Sequence, residues 1–427
     1  MSNKSLKQRD LEVVWHPFNQ MKGADILPIA SAKGAYLFDE NGNKYIDAFS
    51  SWWVNVHGHC HPDLVAALTK QAATLEHVAF GGFTHQPAVE LAEGLIDILP
   101  DSITRIFYSD NGSTSTEVAL KMTLQYFHNL ERPKTTFVAF ENGYHGDTFG
   151  SMSVTARGGF NEPFESLMFD VIYIPTPTAE NIDTVKSQLN KIIEDHEVAG
   201  FIFEPIIQGA GGMLMHSPEG LSELIGICKD NDVICIADEV MTGFGRTGKM
   251  FATDHLENKP DIMCLSKAIT GGFMAMGITA VTEKIYQAFY SDNAKHTFLH
   301  GHSYTGNTLA CALGVANLEL FKKAEVKANL NRLTKSHAVF VESVKYLKMV
   351  RAARSFGTIV AIDIESSGKT SYFNGAGQSA YKYFLDKGIV LRPLGNTIAM
   401  IPPYCVTDEE LNFIYSEIKN YLTLLEQ

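Results

Sequence analysis

The stretch ICIADE at residues 234–239 and the stretch IMCLSK at residues 262–267 are two short apolar runs that end in polar residues. A run of about four apolar residues with such an ending is typical of a buried strand in a parallel sheet. In open α/β sheets, ligands bind beyond the carboxyl ends of the strands. The two runs therefore predict that Asp238 and Lys267 reach one site from the ends of two strands.

An acid and an amine at one site match the needs of pyridoxal 5′-phosphate (PLP). This cofactor requires a lysine, with which it forms a Schiff base, and a carboxylate that keeps its pyridine nitrogen protonated. Each residue alone also has an ordinary interpretation, because most lysines are solvated and charged residues often end a strand. The hypothesis therefore depends on whether other predicted strands are followed by the remaining residues that a PLP site needs.

Strands and helices alternate across residues 105–280, which predicts an α/β fold with a mostly parallel sheet. A long helical stretch near 305–347 is expected to lead to a smaller α+β domain, with candidate strands near 358–364, 388–392 and 397–401. We predict three parts of the chain: an N-terminal segment (1–60) that packs with the small domain, a large PLP-binding domain (61–317) and a C-terminal small domain (318–427).

The composition points to a metabolic enzyme in the cytoplasm. The chain has 427 residues, 45% of them apolar, and a net charge of −13, which argues against a nucleic-acid-binding protein. The six cysteines are scattered and form no CxxC pair, which favours reduced thiols over a disulfide framework. The polar start of the sequence does not resemble a signal peptide, and no apolar stretch is long enough to suggest a membrane span.

A turn with the sequence DNGST at residues 110–114 follows one predicted strand and opens a helix. Backbone N–H groups and hydroxyls at a helix N-terminus form a ready phosphate site, so Gly112 and Ser113 are candidate phosphate ligands. Thr114 and Glu117 have the spacing of a capping box. An ordinary helix start explains the same residues, and for this turn taken alone it is the interpretation we favour.

Aromatic and charged residues supply the remaining candidates. Tyr144 could lie on a cofactor ring and Asp147 could meet an amine, although a glycine-rich surface turn is an equal alternative. One of the adjacent Trp52 and Trp53 could form an exposed wall for a long apolar substrate, although one core and one half-buried tryptophan is an equal alternative. Arg392 could bind a carboxylate bidentately, or simply be a surface arginine at a strand end.

Two other classes of protein are disfavoured. The segment HGHCH at residues 57–61 suggests metal binding, but structural zinc ligands usually come as spaced pairs from two places and no second cluster is evident. We therefore predict no metal site and interpret the segment as a loop. A nucleotide-binding oxidoreductase would carry a G-x-G-x-x-G turn after its first strand, and no predicted strand is followed by one.

Several blocks together resemble the class III (ω-type) PLP aminotransferases, from about residue 15 to residue 404. They are WHPF (15–18), SSWW (50–53), NGYHGDT (142–148), IADE (236–239), TGFGRTG (242–248) and KAITGG (267–272). The resemblance implies the aspartate-aminotransferase-like fold (PLP-dependent transferase fold type I), PLP as cofactor, small-molecule substrates and a homodimer whose active site is shared across the interface. It implies transamination of 8-amino-7-oxononanoate to 7,8-diaminononanoate in biotin biosynthesis. The alternative is another ω-aminotransferase of the ornithine, 4-aminobutyrate or β-alanine type.

The resemblance also implies roles for individual residues. Lys267 would bind the cofactor and move the proton, Asp238 would pair with the pyridine nitrogen, and Tyr144 would stack near the ring. The phosphate would be held by Gly112 and Ser113, with His302 and Ser303 from the partner subunit. The substrate would meet Phe18, Trp52, Trp53, Tyr144, Asp147, Lys267, Gly301 and Arg392, with Arg392 on the far carboxylate.

Two positions depart from the better-known members of the family. Phe18 stands where the WHPY segment has tyrosine, and His302-Ser303 replaces Pro-Thr. Both changes resemble the branch that uses lysine as amino donor, whereas Trp53 resembles the branch that uses S-adenosylmethionine. The sequence therefore leaves both donors open, with S-adenosylmethionine preferred.

Overall fold

The computed structural model describes residues 4–366 and 376–426. The strands are β1 (Ile29–Lys33), β2 (Tyr36–Asp39), β3 (Lys44–Asp47), β4 (Ile103–Ser109), β5 (Thr136–Phe140), β6 (Val171–Ile174), β7 (Val198–Phe203), β8 (Ile207–Gln208), β9 (Leu214–Met215), β10 (Ile234–Asp238), β11 (Ile262–Leu265), β12 (Gly277–Thr282), β13 (Val350–Phe356), β14 (Ile359–Ile364), β15 (Ile389–Val390) and β16 (Thr397–Met400).

Helices cover these strands. They are α1 (Leu6–Val13), α2 (Ser50–Trp53), α3 (Pro62–Ala72), α4 (Gln86–Ile96), α5 (Gly112–Asn129), α6 (Phe149–Val154), α7 (Ile182–Asp195), α8 (Pro218–Asp230), α9 (Glu283–Gln287), α10 (Thr308–Lys322), α11 (Ala324–Val344), α12 (Ala376–Asp386) and α13 (Asp408–Leu424). Short 3₁₀ helices lie at Glu162–Leu167, Ala252–His255, Lys267–Thr270 and Ala294–His296.

The largest sheet formed by the described residues has the strand order β4-β12-β11-β10-β7-β5-β6. Its strands β11, β10, β7, β5 and β6 are parallel neighbours, whereas β12 runs antiparallel to both β11 and β4. The predicted α/β fold with a mostly parallel sheet is therefore confirmed. Because β10 and β11 are adjacent, the segments that follow Asp238 and Leu265 leave the sheet side by side.

Both faces of this sheet are buried, which explains why its strands are continuous apolar runs. Ile234 and Ile236 of β10 belong to a core cluster with side chains of α5. Cys235 and Ala237 point to the opposite core, which also includes Leu91 of α4. An alternating strand would leave one face wet, so the runs at 234–238 and 262–265 are consistent with burial on both sides.

The remaining sheets are smaller. One has the order β1-β2-β3-β15 and so joins the N-terminal strands to a strand near residue 390. Another has the order β13-β14-β16, which agrees with the candidate strands near 358–364 and 397–401. The three-part division of the chain remains a prediction.

The helical stretch near 305–347 consists of two helices, because Lys323 adopts an extended backbone between α10 and α11 (ψ 135°). Within the described part of the chain, no helix combines the length and the apolar character needed to cross a membrane.

The helix α5 also begins earlier than the capping-box spacing indicated. Its cap is Asn111, whose side chain accepts from the backbone N–H of Thr114, while the Thr114 hydroxyl accepts from Asn111 N–H. The strand β4 ends at Ser109, so the helix starts almost at once and Thr114 already lies in its first turn. The Glu117 carboxylate instead accepts from the hydroxyl of Thr148 and from the N–H of Ser151.

Candidate active site

A cavity of about 480 Å³ lies beyond the carboxyl ends of β10 and β11. It brings together residues that are far apart in the sequence. Among the residues predicted from the sequence, those lining it are Phe18, Trp52, Trp53, Gly112, Ser113, Tyr144, Asp238 and Lys267.

Lys267 follows β11 and has a left-handed backbone, with φ of 45°. Its amine lies 5.1 Å from the ring centroid of Trp53. Burial lowers the pKa of Lys267, and the nearby carboxyl groups of Asp238 and Glu204 oppose that shift. The environment therefore favours a neutral amine more than water does, which makes Lys267 suited to act as a nucleophile or base.

Asp238 is buried at the end of β10 and is paired. Its Oδ2 lies 2.7 Å from His145 Nδ1, and its Oδ1 accepts from the N–H of Val240 at 3.1 Å. These contacts stabilise the ionised carboxylate, which would otherwise be costly to bury. His145 was not predicted as a site residue, although it lies inside the 142–148 block that carried the resemblance.

The N-terminus of α5 forms another side of the cavity. Gly112 and Ser113 are its first two residues, so their N–H groups have no partner within the helix. The Ser113 hydroxyl accepts from Asp147 N–H at 3.1 Å, which joins this helix to the turn after β5. Gly146 in that turn has φ of 129°, and a Cβ there would lie 2.3 Å from Ser113 Oγ, so only glycine permits this approach.

Tyr144 is fixed at both ends. Its hydroxyl donates to Asp147 Oδ2 at 2.8 Å, and its N–H donates to Glu204 Oε2 at 3.0 Å. Glu204 also accepts from Gly209 N–H at 2.8 Å, and burial raises its pKa to about 7. Glu204 was not predicted as a site residue, because nothing local in the sequence indicates that it contacts the turn around Tyr144. Asp147 lies behind Tyr144 and does not line the cavity.

The two tryptophans form an aromatic wall. Trp53 is 5% exposed and Trp52 is partly buried, which matches the alternative of one core and one half-buried tryptophan, and both rings line the cavity. Trp52 packs against Phe18, with ring centroids 5.4 Å apart. The guanidinium of Arg392 lies 4.6 Å from the Trp52 ring centroid and donates to the carbonyl of Phe18. Arg392 therefore contacts two residues of the cavity wall but does not itself line the cavity.

The loop with Gly301, His302 and Ser303 does not line the cavity within one chain. His302 Nε2 lies 3.8 Å from Asp110 Oδ1, just before α5. The predicted phosphate contacts of this loop would therefore have to be made in a second subunit. That role remains a prediction.

The histidines at 57–61 have structural partners. His57 packs on Phe321, with centroids 4.7 Å apart, and burial lowers its pKa to about 3. His59 Nε2 contacts Asp47 Oδ2 at 2.9 Å. In the described residues, no three His, Cys, Asp or Glu side chains are grouped to hold a metal ion.

Comparisons with known proteins place this arrangement in a family. The model for class-III aminotransferases matches residues 19–422. The adenosylmethionine-8-amino-7-oxononanoate aminotransferase of Synechococcus elongatus is 46% identical over 418 residues, covering 96% of this chain and 98% of that protein. The protein of that name from Staphylococcus aureus is 38% identical, with coverage of 96% and 95%.

Solved structures agree. The Methanocaldococcus jannaschii protein of the same name has a TM-score of 0.92 at 37% identity, covering 97% of this chain and 98% of that chain. A PLP-bound amine transaminase from an uncultivated Pseudomonas species has a TM-score of 0.90 at 28% identity, with coverage of 95% and 97%. The chain belongs to the class-III aminotransferases.

Proposed function

We propose that this enzyme transfers an amino group to 8-amino-7-oxononanoate, producing 7,8-diaminononanoate for biotin biosynthesis. Near-full-length similarity to relatives named for this substrate supports the proposal. The observation that carries it is the cavity itself, in which the Lys267 amine lies 5.1 Å from the Trp53 ring centroid, while the Arg392 guanidinium contacts the neighbouring Trp52. This arrangement suits a long substrate with a reacting carbon near Lys267 and a distant carboxylate.

The residues present fit PLP as the cofactor. The start of α5 offers the unpaired N–H groups of Gly112 and Ser113 to a phosphate. Asp238, supported by His145, offers a carboxylate to a protonated ring nitrogen. Tyr144 lines the same cavity, so its aromatic ring could pack near the ring of a bound cofactor.

When bound, PLP accepts the electron pair left behind when a proton leaves the substrate carbon. Lys267 removes the proton from the donor carbon that bears the amino group, a role that its lowered pKa favours. In the second half of the reaction, Lys267 delivers a proton to C7 of the acceptor. Asp238, fixed by His145, would hold the ring nitrogen of the bound cofactor and favour its protonated form.

Arg392 binds the far carboxylate of the acceptor, and the rings of Phe18 and Trp52 contact its aliphatic chain. Removing water from this chain contributes affinity in proportion to the apolar area buried. S-adenosylmethionine is the preferred amino donor and lysine the second candidate, since Phe18 and His302 resemble the lysine-using branch.

The same proposal includes a cytoplasmic homodimer. All six cysteines are free thiols, which suits a reducing compartment. Large apolar side chains are exposed on one chain near the loop that would reach the second site: Leu299 is 84% exposed and Tyr304 is 63% exposed. A dimer interface would remove such surface from water.

The direct test is product formation by the purified protein with 8-amino-7-oxononanoate and each donor in turn. We expect diaminononanoate with S-adenosylmethionine or with lysine, and much weaker turnover of 2-oxoglutarate. Equal or better turnover of 2-oxoglutarate would replace the proposal by an ornithine-, 4-aminobutyrate- or β-alanine-type activity.

A further inference from the structure

The short element α2 is a left-handed turn. Ser50, Ser51, Trp52 and Trp53 have φ values of 49°, 46°, 70° and 73°. For residues other than glycine this conformation is unfavourable, because Cβ approaches the following carbonyl oxygen too closely. Such strain persists only where the surroundings impose it, and it concentrates at functional sites.

Asp47 holds the first half of the turn. This fully buried carboxylate accepts from Phe49 N–H at 3.2 Å, from the Ser51 hydroxyl at 2.7 Å and from His59 Nε2 at 2.9 Å. His59 is itself fixed by Asn55, whose Nδ2 lies 2.9 Å from His59 Nδ1. The three contacts of Asp47 tie the end of β3 to the turn.

Arg246 holds the second half. Its buried guanidinium donates to the carbonyl of Trp53 at 3.1 Å and to that of Pro402 at 3.0 Å. On the same side, the Ser50 hydroxyl donates to the carbonyl of Ile401 at 2.6 Å. The turn is therefore clamped between β3 and the segment that follows β16.

The clamped turn places the rings of Trp52 and Trp53 against two different side chains. Trp53 lies beneath the Lys267 amine at 5.1 Å, whereas Trp52 lies beneath the Arg392 guanidinium at 4.6 Å. A right-handed turn would carry successive side chains around its axis in the opposite sense. The hand of the turn thus fixes how the two rings extend from the Lys267 amine to the Arg392 guanidinium.

We propose that Asp47 and Arg246 are positioning residues that hold α2 left-handed and so set the length of acceptor that the site accepts. Neither residue lines the cavity, so each acts through the tryptophans. The inference rests on the proposed function, since the two rings are proposed to contact the chain of this acceptor.

The test compares Asp47→Asn with Asp39→Asn. Asparagine has one acceptor oxygen, which can replace Oδ1 or Oδ2 of the aspartate but not both. Its NH₂ group cannot accept, so the contact with Phe49 and the contacts with Ser51 and His59 cannot all be kept. We expect the KM for 8-amino-7-oxononanoate to rise roughly tenfold with kcat within about twofold, because the loss is in substrate binding. Asp39 is a matched control: it is also buried at a strand end and accepts from Asn43 N–H and side chain, but away from the cavity. Its variant should leave KM unchanged.

A second variant separates strain from simple loss of stability. Glycine adopts positive φ at little cost, so Ser51→Gly added to Asp47→Asn should recover most of the lost KM. In a Trp15→Phe background, which leaves only Trp52 and Trp53, acrylamide should quench the fluorescence of Asp47→Asn more than that of the parent. Unchanged KM and quenching in Asp47→Asn, or no recovery with Ser51→Gly, would overturn the inference. Absence of acceptor turnover in the unmodified enzyme would instead refute the proposed function, while the quenching comparison would still decide the state of the turn.

Discussion

At the scale of single residues, the reactivity of Lys267 depends on its surroundings. An exposed lysine is almost fully protonated at neutral pH, whereas burial in this cavity lowers its pKa. The chain thus supplies both the amine and an environment that lowers its pKa.

Replacing Lys267 by alanine should reduce turnover by at least roughly a hundredfold, because a positioned proton-transfer group is lost. Phosphate-site affinity should be largely retained, since Gly112 and Ser113 are untouched. Product formation and titration with PLP measure the two effects. Lys322→Ala, at an exposed position on α10, is the control, and full activity in Lys267→Ala would refute the assignment.

Glu204 gives a prediction for stability. Its pKa is raised by burial from 4.5 to about 7, so the folded protein keeps a proton that the unfolded chain has lost. The free energy of unfolding should therefore fall as pH rises through this window, a contribution that Glu204→Gln removes. Relative to Glu204→Gln, the wild type should therefore lose up to about 3 kcal/mol of unfolding free energy between a pH of about 4.5 and about 7. Denaturant titrations across this range measure it, and a constant difference would contradict it.

At the scale of elements, β10 and β11 could be predicted because burial on both faces leaves a readable apolar run. The helix start at Gly112 could be anticipated for a similar local reason, although its cap could not. The contacts of His145 with Asp238 and of Glu204 with Tyr144 could not, because they join elements 93 and 60 residues apart. The left-handed α2 was equally hidden, since hydrophobic pattern carries no information on hand.

The cap of α5 can be tested against a cap elsewhere. Asn111→Ala and Thr407→Ala each remove an N-cap, at α5 and α13 respectively, and each should cost about 1 kcal/mol of stability. Only Asn111→Ala should weaken binding of PLP, because it loosens the turn that presents Gly112 and Ser113. Equal PLP affinity in both variants would show that the cap does not organise the phosphate site.

At the scale of the whole molecule, one chain builds most of the cavity but keeps His302 and Ser303 outside it. In the proposed dimer, this loop of each subunit would complete the phosphate site of the other subunit. The four-stranded sheet β1-β2-β3-β15 similarly unites distant parts of the chain, and it supports both Asp47 and the segment before Arg392.

Mixed dimers can test the shared site. Lys267→Ala and Ser303→Ala place their defects in different halves of each proposed site, so a mixed dimer contains one site with neither defect. Refolding the two variants together should recover activity above that of either alone, up to about half of wild type per mixed dimer. No recovery, with mixed dimers verified by mass, would contradict the shared site.

The central claim is that the amino group passes through this site to 8-amino-7-oxononanoate. The most direct measurement loads the purified enzyme with pyridoxamine phosphate, removes the excess, adds this acceptor alone and quantifies diaminononanoate in a single turnover. The account predicts close to one product molecule per site, whichever amino donor the enzyme uses. No product from this acceptor, together with stoichiometric glutamate from 2-oxoglutarate, would contradict it.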